Sequence, residues 1–355
     1  MKTFHCTHCQ NLIFFENVQC LHCGHALAYL PDQGEMAAML GGPGNLWSVE
    51  GREADPPYRL CANYTFHQIC NWAVPSRDPE LLCQSCRLTR TIPDLSDSGK
   101  EAWYRLETAK RRLVHCLFSL ALPVASKDTN SPGGVAFEFL RDSQSPNGDH
   151  QRVLTGHDNG LITINIAEAD DVQRESARVQ QHEPYRTVLG HLRHEIGHYY
   201  WDRLIQNSAR LESFRLLFGD ERTDYGESLK RHYEQGPRPM WQEQFVSSYA
   251  TAHPWEDWAE SWAHFLHMFD ALETANAAGL SLRPPRADEP VIVPSATSAD
   301  VLFSSFDDMI ARWLPLTYVM NNLSRGLGHP DVYPFVLSPP AIEKLRFIHE
   351  TIMAR

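Results

Sequence analysis

Between residues 185 and 205, apolar side chains recur at Leu189, Leu192, Ile196 and Tyr199, a 3,4,3 spacing that predicts a helix with one buried stripe. His194 and His198 fall on roughly the opposite side of it. A further helical pattern opens at Pro254, a residue suited to the first helical position. Its stripe is Trp258, Trp262, Phe265 and Phe269, which leaves Glu256 and Glu260 together on another face. From Glu101, Trp103, Leu106, Ala109 and Leu113 keep helical spacing, with Lys110, Arg111 and Arg112 on the other side as an expected solvated face. Residues 306–320 and 340–353 also read as helices. Strand signals are sparser: a short apolar run over 135–139, and Ile162, Ile164 and Ile166 alternating with Thr163 and Asn165 over 161–167. As an edge strand, 161–167 would be able to pair with an extended peptide; an ordinary sheet strand is the other reading. The rest of 128–149 and the Pro-rich 283–294 read as loops.

The cysteines change the picture of the N-terminal part, because eight of the nine precede residue 90 and most sit in Cys-x-x-Cys pairs. That is the arrangement of metal knuckles in a reducing compartment, not of a disulfide framework. Cys6, Cys9, Cys20 and Cys23 can close a tetrahedron of thiolates around one zinc, and Gly24 suits the turn after the knuckle because it tolerates φ > 0. His5, His8, His22 and His25 crowd this site as alternative ligands. Cys61, Cys70, Cys83 and Cys86 form a less regular set that can still hold a structural zinc, with His67 as a competitor for one position. Cys116, in an apolar run, is expected to be a buried small hydrophobe. Pro75, Pro79, Pro93 and the stretch Ser96, Asp97, Ser98, Gly99 mark a linker, so the expected domains are 1–95, a small β-rich zinc-ribbon module, and 100–355, a mostly helical domain, α+β in class.

The run His194-Glu195-Ile196-Gly197-His198 supplies the chemistry. Positions i and i+4 of a helix lie one above the other, so two imidazoles can ligate one Zn²⁺ while Glu195 serves as general base toward a metal-activated water. A catalytic zinc needs a third protein ligand. The metzincin extension would require glycine at 201 and histidine at 204, but Trp201 and Leu204 stand there. The pair Glu256 and Glu260 meets the need: one carboxylate for the metal, assigned to Glu256, and the other, Glu260, to accept the free N–H of a liganding histidine. Glu260, Asp257 and His253 are the substitutes for Glu256. Tyr249 and His253 are the nearest candidate donors to an oxyanion. One catalytic zinc and one or two structural zincs are therefore expected.

Net charge is 32 − 44 = −12, which speaks against nucleic acid and anionic membranes as partners and leaves a peptide or protein substrate, with a protein partner for the zinc ribbons. The first residues lack the apolar stretch of a signal peptide, and the longest apolar run, near 114–125, is too short to cross a bilayer, so a cytoplasmic location is expected.

Several segments together resemble a known family. They are the N-terminal cysteine ribbon, Cys61-Ala62-Asn63-Tyr64, Cys70-Asn71-Trp72, Ala109-Lys110-Arg111-Arg112-Leu113, Thr155-Gly156-His157, Glu168-Ala169-Asp170, Tyr185-Arg186-Thr187, Gly190-His191-Leu192-Arg193-His194-Glu195, Phe218-Gly219-Asp220-Glu221 and the run from His253 to Glu260. The combination is similar to the bacterial family of zinc-binding metallopeptidases with a zinc-ribbon N-terminus, and that resemblance implies a zincin-like metallopeptidase domain. More distantly, Glu256-Asp257-Trp258-Ala259-Glu260 with Tyr249 upstream looks like the glutamate-bearing helix of gluzincin-type toxin proteases. That likeness implies that Glu256 binds zinc and Tyr249 assists the oxyanion. The function expected is zinc-dependent peptide hydrolysis; the alternative is a non-catalytic binding or regulatory protein acting through its ribbons, with the zincin domain as scaffold.

Overall fold

A computed structural model describes residues 1–128, 131–144, 150–181, 183–293 and 305–354. The chain is α+β, with a β-rich N-terminal region followed by a mostly helical one. It divides into two compact units, one of Met1–Gly156 with Gly160–Asp170, the other of His157–Asn159 with Asp171–Arg355.

In the first unit, β1 (Phe4–His5) and β2 (Leu12–Ile13) form an antiparallel pair that carries the first knuckle between them. Then β3 (Ala26–Leu30), β4 (Glu35–Gly41), β5 (Trp47–Val49), β6 (Tyr58–Leu60) and β7 (Ala73–Pro75) form an antiparallel sheet in chain order. Ala28, Leu30, Ala37, Met39, Val49, Tyr58 and Ala73 are its packed core. The short helix α1 (Ala62–Thr65) starts directly after Cys61. The long helix α2 (Asp97–Ser119) is capped by Ser96, whose hydroxyl accepts the Gly99 N–H. Trp103, Leu106, Ala109, Leu113 and Cys116 are all buried on it, as their spacing predicts.

The basic cluster on α2 is not the solvated face expected. Lys110 and Arg111 are buried, because α2 is covered on more than one side. Lys110 Nζ lies 2.9 Å from Glu107 Oε1 and also bonds Thr89 Oγ1, while Arg111 donates to the Ile69 carbonyl at 2.6 Å. Buried charges are tolerated only with such partners. Arg112 alone stays half-exposed, paired with Glu16.

The strands β8 (Thr89–Thr91), β9 (Ala136–Leu140), a short ribbon of β10 (Ser143–Gln144) with β11 (His150–Gln151), then β12 (Gly156–Asp158) and β13 (Leu161–Asn165) follow. One sheet has the order β12-β13-β9-β8, with β9 parallel to both β13 and β8. Ile162 and Ile164 are buried in it, as alternation predicts, but β13 has neighbours on both sides and is not an edge strand. The strand ends at Asn165, whose side chain accepts the Ala167 N–H and turns the chain into a single helical turn over Ile166–Ala169. Of the expected loops, residues 129–130, 145–149 and 294 lie outside the described residues.

The second unit is built from α3 (Asp171–Gln180), α4 (Val188–Leu204), α5 (Leu211–Phe218), α6 (Tyr225–Gln235), α7 (Pro254–Ala277), α8 (Phe306–Gly326) and α9 (Pro339–Met353). Its centre is the packing of α4 on α7. Leu192, Ile196, Tyr199 and Tyr200 from α4 meet a core with Trp258, Trp262, Phe265 and Phe269 from α7, all buried, and Tyr200 stacks on Trp262 at 5.0 Å. The approach is close because Gly197 has no side chain: a Cβ there would stand 3.1 Å from Ala259 Cα. The Trp258 indole N–H donates to the Gly197 carbonyl at 2.8 Å, and Arg193 pairs with Asp270 across the same helices. Among the described residues no helix is long and apolar enough to cross a membrane.

Candidate metal centres

Three donor groups converge where the sequence places metal ligands. Cys6, Cys9, Cys20 and Cys23 bring their sulfurs within 4.8 Å of one another, as do Cys61, Cys70, Cys83 and Cys86. The sulfur separations are 3.7 Å for Cys6–Cys23, 3.6 Å for Cys9–Cys20 and 3.8 Å for Cys70–Cys83. A disulfide would need about 2.05 Å, whereas thiolates about 2.3 Å from a tetrahedral zinc stand about 3.8 Å apart. The cysteines are free, and their spacing fits a zinc in each tetrad. Backbone amides support the thiolates: those of Trp72, Cys83 and Cys86 point at Cys70, Cys61 and Cys83 sulfurs at 3.3–3.4 Å. In the first tetrad the Cys23 amide heads the hydrogen bonds that bring the Cys20 thiol down to about 6. Gly24 takes φ +78° after the knuckle. His67 is not in the second tetrad; its ring lies against that of Trp103, with centroids 5.4 Å apart and the planes tilted by 57°.

The remaining centre joins α4 to α7. His194 and His198 project from one face of α4, one turn apart, and Glu256 reaches them from the first turn of α7. His194 Nε2 is 3.0 Å from Glu256 Oε2 and 3.2 Å from His198 Nε2, and His198 Nε2 is 3.6 Å from Glu256 Oε1. Ligand atoms about 2.0–2.1 Å from a tetrahedral zinc lie about 3.3–3.4 Å from each other, so this donor set fits zinc. Glu260, one turn on from Glu256, sets an oxygen 2.7 Å from His194 Nδ1, and its other oxygen accepts the Ser247 hydroxyl at 2.6 Å. Asp257 points elsewhere, into a buried ion pair with Lys344 of α9 at 2.6 Å.

The electrostatics follow from two carboxylates flanking one imidazole. Burial opposes a charge on His194, yet the bonds to Glu256 and Glu260 outweigh it and raise its pKa well above the usual histidine value. Burial likewise opposes the Glu256 carboxylate, but His198 and His194 hold it well below the ordinary range. Either a proton or a divalent cation can balance this negative charge. Glu195 is raised by its burial, only partly offset by His194 and His198.

Tyr249 lies against the site, its ring 5.9 Å from that of His194, and burial keeps its hydroxyl protonated. His253 has a different place from the donor role expected of it. It caps α7, with Nδ1 accepting the Trp255 N–H at 3.1 Å and Nε2 donating to the Thr223 carbonyl at 3.1 Å, so both ring nitrogens are occupied by backbone.

Sequence reading missed two residues here. The Tyr225 hydroxyl donates to Glu256 Oε1 at 2.7 Å from α6, and His157 stacks on His198 with ring centroids 6.1 Å apart. Neither shares an element or a spacing pattern with the motif, so no periodicity pointed to them.

Residues 3–97 match the model of a zinc-ribbon domain and residues 99–351 that of a family described as "putative zinc-binding metallo-peptidase". Relatives include uncharacterised proteins of Mycobacterium bovis and of Mycobacterium tuberculosis, each 46% identical over 354 residues, covering 99% of this chain and 95% of the relative. No solved structure matches the chain. With a ribbon of free cysteines and a His-Glu-x-x-His helix facing a buried glutamate, the chain belongs to this zinc-binding metallo-peptidase family.

Proposed function

We propose that this protein hydrolyses peptide bonds with one zinc held by His194, His198 and Glu256, and that the ribbon unit, with a structural zinc in each cysteine tetrad, recruits a peptide or protein substrate or a protein partner. The convergence of those three side chains beside Glu195 carries the reading. The bound ion would acidify a water and polarise the scissile carbonyl. Glu195 would serve as general base, taking up the proton of the attacking water and passing it to the leaving amine, a role its burial favours because the desolvated carboxylate is a stronger base. Glu260 fixes the His194 ring through Nδ1, which leaves Nε2 for the metal. Tyr249 is the hydroxyl donor to the developing oxyanion, and burial keeps it protonated, while the Tyr225 hydroxyl, committed to Glu256 Oε1, steadies that carboxylate. His253 acts as a positioning residue that starts α7 and so sets the height of Glu256. Nine free cysteines, eight of them in tetrads, suit a reducing compartment such as the cytoplasm.

The test is peptide-library cleavage by the zinc-loaded full chain and its Glu195→Gln variant. A loss of about 10²–10⁴-fold in kcat at unchanged zinc content is expected for removal of a general base. Equal rates in the two proteins would refute the role of Glu195, and no cleavage by either would favour the non-catalytic alternative.

A further inference from the structure

The first ribbon carries donors that its tetrad does not use. His8 sits inside the first knuckle, His25 two residues after Cys23, and Glu50 directly after β5. His8 Nδ1 is 2.7 Å from Glu50 Oε1, and His25 Nε2 is 2.8 Å from Glu50 Oε2, the latter an ion-pair contact without hydrogen-bond geometry, so one carboxylate faces both imidazoles. The rings lie 4.2 Å apart, tilted by 30°. A nitrogen of each ring and the Cys23 sulfur come within 4.8 Å of one another. His25 Nδ1 is buried and has no hydrogen-bond partner among the described residues, a loss of solvation that some other ligand must make good.

We infer that His8, His25 and Cys23, with Glu50 steadying the imidazoles, form a further site for a borderline divalent cation of the zinc type, joined to the first tetrad through the Cys23 thiolate. Two nitrogens and a sulfur suit Zn²⁺, Co²⁺, Ni²⁺ or Cu²⁺ and not the oxygen-seeking Mg²⁺ or Ca²⁺. A carboxylate on the far side of a liganding imidazole is the usual means of orienting it and raising its basicity. Charge argues the same way. Four thiolates around one divalent ion leave a formal excess of negative charge. At the second tetrad the buried Arg111 guanidinium, which Cys70, Cys86 and Cys83 stabilise, offsets it. At the first, Glu50 adds to the excess, and a cation on Cys23 offsets both. The His8 and His25 side chains are 41% and 24% exposed, so this site exchanges its ion with solvent more readily than the tetrad, in which Cys6 and Cys20 are buried.

The experiment is stepwise Co²⁺ loading of the metal-stripped full chain, read by thiolate-to-cobalt charge-transfer absorption and by metal content after desalting, for the wild type, H8A/H25A and E50Q. The expected result is one bound cation fewer per chain in H8A/H25A, with the tetrad bands intact. E50Q, which keeps every direct ligand, is expected to bind the extra ion about 10–100-fold more weakly. Equal cation counts in wild type and H8A/H25A would overturn the site and make the imidazoles simple counter-ions. If H8A/H25A does not fold, E50Q decides: unchanged affinity and count in it would overturn the proposal equally. Because the ion is counted by difference between variants of the ribbon, the outcome is independent of whether the His194 centre binds metal or cleaves peptides.

Discussion

Gly197→Ala is the sharpest perturbation the fold offers, because this residue lies between the two motif histidines where α4 touches α7. The added Cβ would stand 3.1 Å from Ala259 Cα, 3.2 Å from Trp262 Cβ and 3.3 Å from Trp262 Cδ1. Carbon contacts are comfortable at about 3.5–4.0 Å, so the helices must part locally by about 0.4 Å. For overall stability two effects compete: alanine is preferred to glycine inside a helix by about 1 kcal/mol, while overpacking a core costs about 1–3 kcal/mol. The net destabilisation expected is therefore small, about 0–2 kcal/mol. The metal centre is hit harder, since His194 and His198 ride on α4 and Glu256 on α7, with gaps of only 3.0 and 3.6 Å between them. Zinc sites tolerate ligand displacements of about 0.2 Å, so zinc affinity at this centre should fall at least tenfold, or about 1.4 kcal/mol. The two cysteine tetrads should keep theirs. Chelator competition with cobalt as reporter measures both, because the ribbon sites give thiolate charge-transfer bands and the His194 centre, which has no thiolate, does not. Gly326→Ala, where nothing lies within 4 Å of the added carbon, is the control. Unchanged affinity in Gly197→Ala, or equal loss at all centres, would refute the reasoning.

Glu260→Ala should weaken zinc at the His194 centre by about 10–100-fold without touching a metal ligand, because His194 Nδ1 loses its partner; identical chelator titrations for variant and wild type would count against it. Tyr249→Phe, which removes the oxyanion donor, should lower kcat by about 10²-fold with KM little changed, and a wild-type kcat in it would exclude that role. Burial pushes His264 down to about 4, so the folded chain binds fewer protons there than the unfolded chain, whose histidine titrates near 6.5. Stability is thus complete above about pH 6.5 and falls as pH drops toward about 4, by on the order of 3 kcal/mol. Thermal melts of the wild type should steepen over that window relative to His264→Asn, in which the amide can still meet the Tyr333 hydroxyl; parallel curves would contradict the assignment.

What the chain determines by itself is what lies within a few residues of itself. The i,i+4 placement of His194 and His198, the paired knuckles, the Pro254 start of α7 and the alternation of β13 are consequences of helical and extended backbone geometry, and the sequence pattern states each of them directly. Glu256 and Glu260 were legible as a pair on one helical face. That Glu256 meets His194 across 62 residues while Asp257 turns to Lys344 is a matter of how α7 is rotated against α4 and α9. Tyr225, 31 residues before Glu256, gave no signal at all. The basic cluster of α2 shows the same limit from the other side. Its spacing suited a solvated face, but neighbouring segments cover it, and Lys110 and Arg111 are buried against Glu107 and the Ile69 carbonyl. Periodicity says which residues share a face, but only packing says what that face meets. At Gly197, the absence of one carbon lets two helices approach closely enough for the ligands on them to reach a common point.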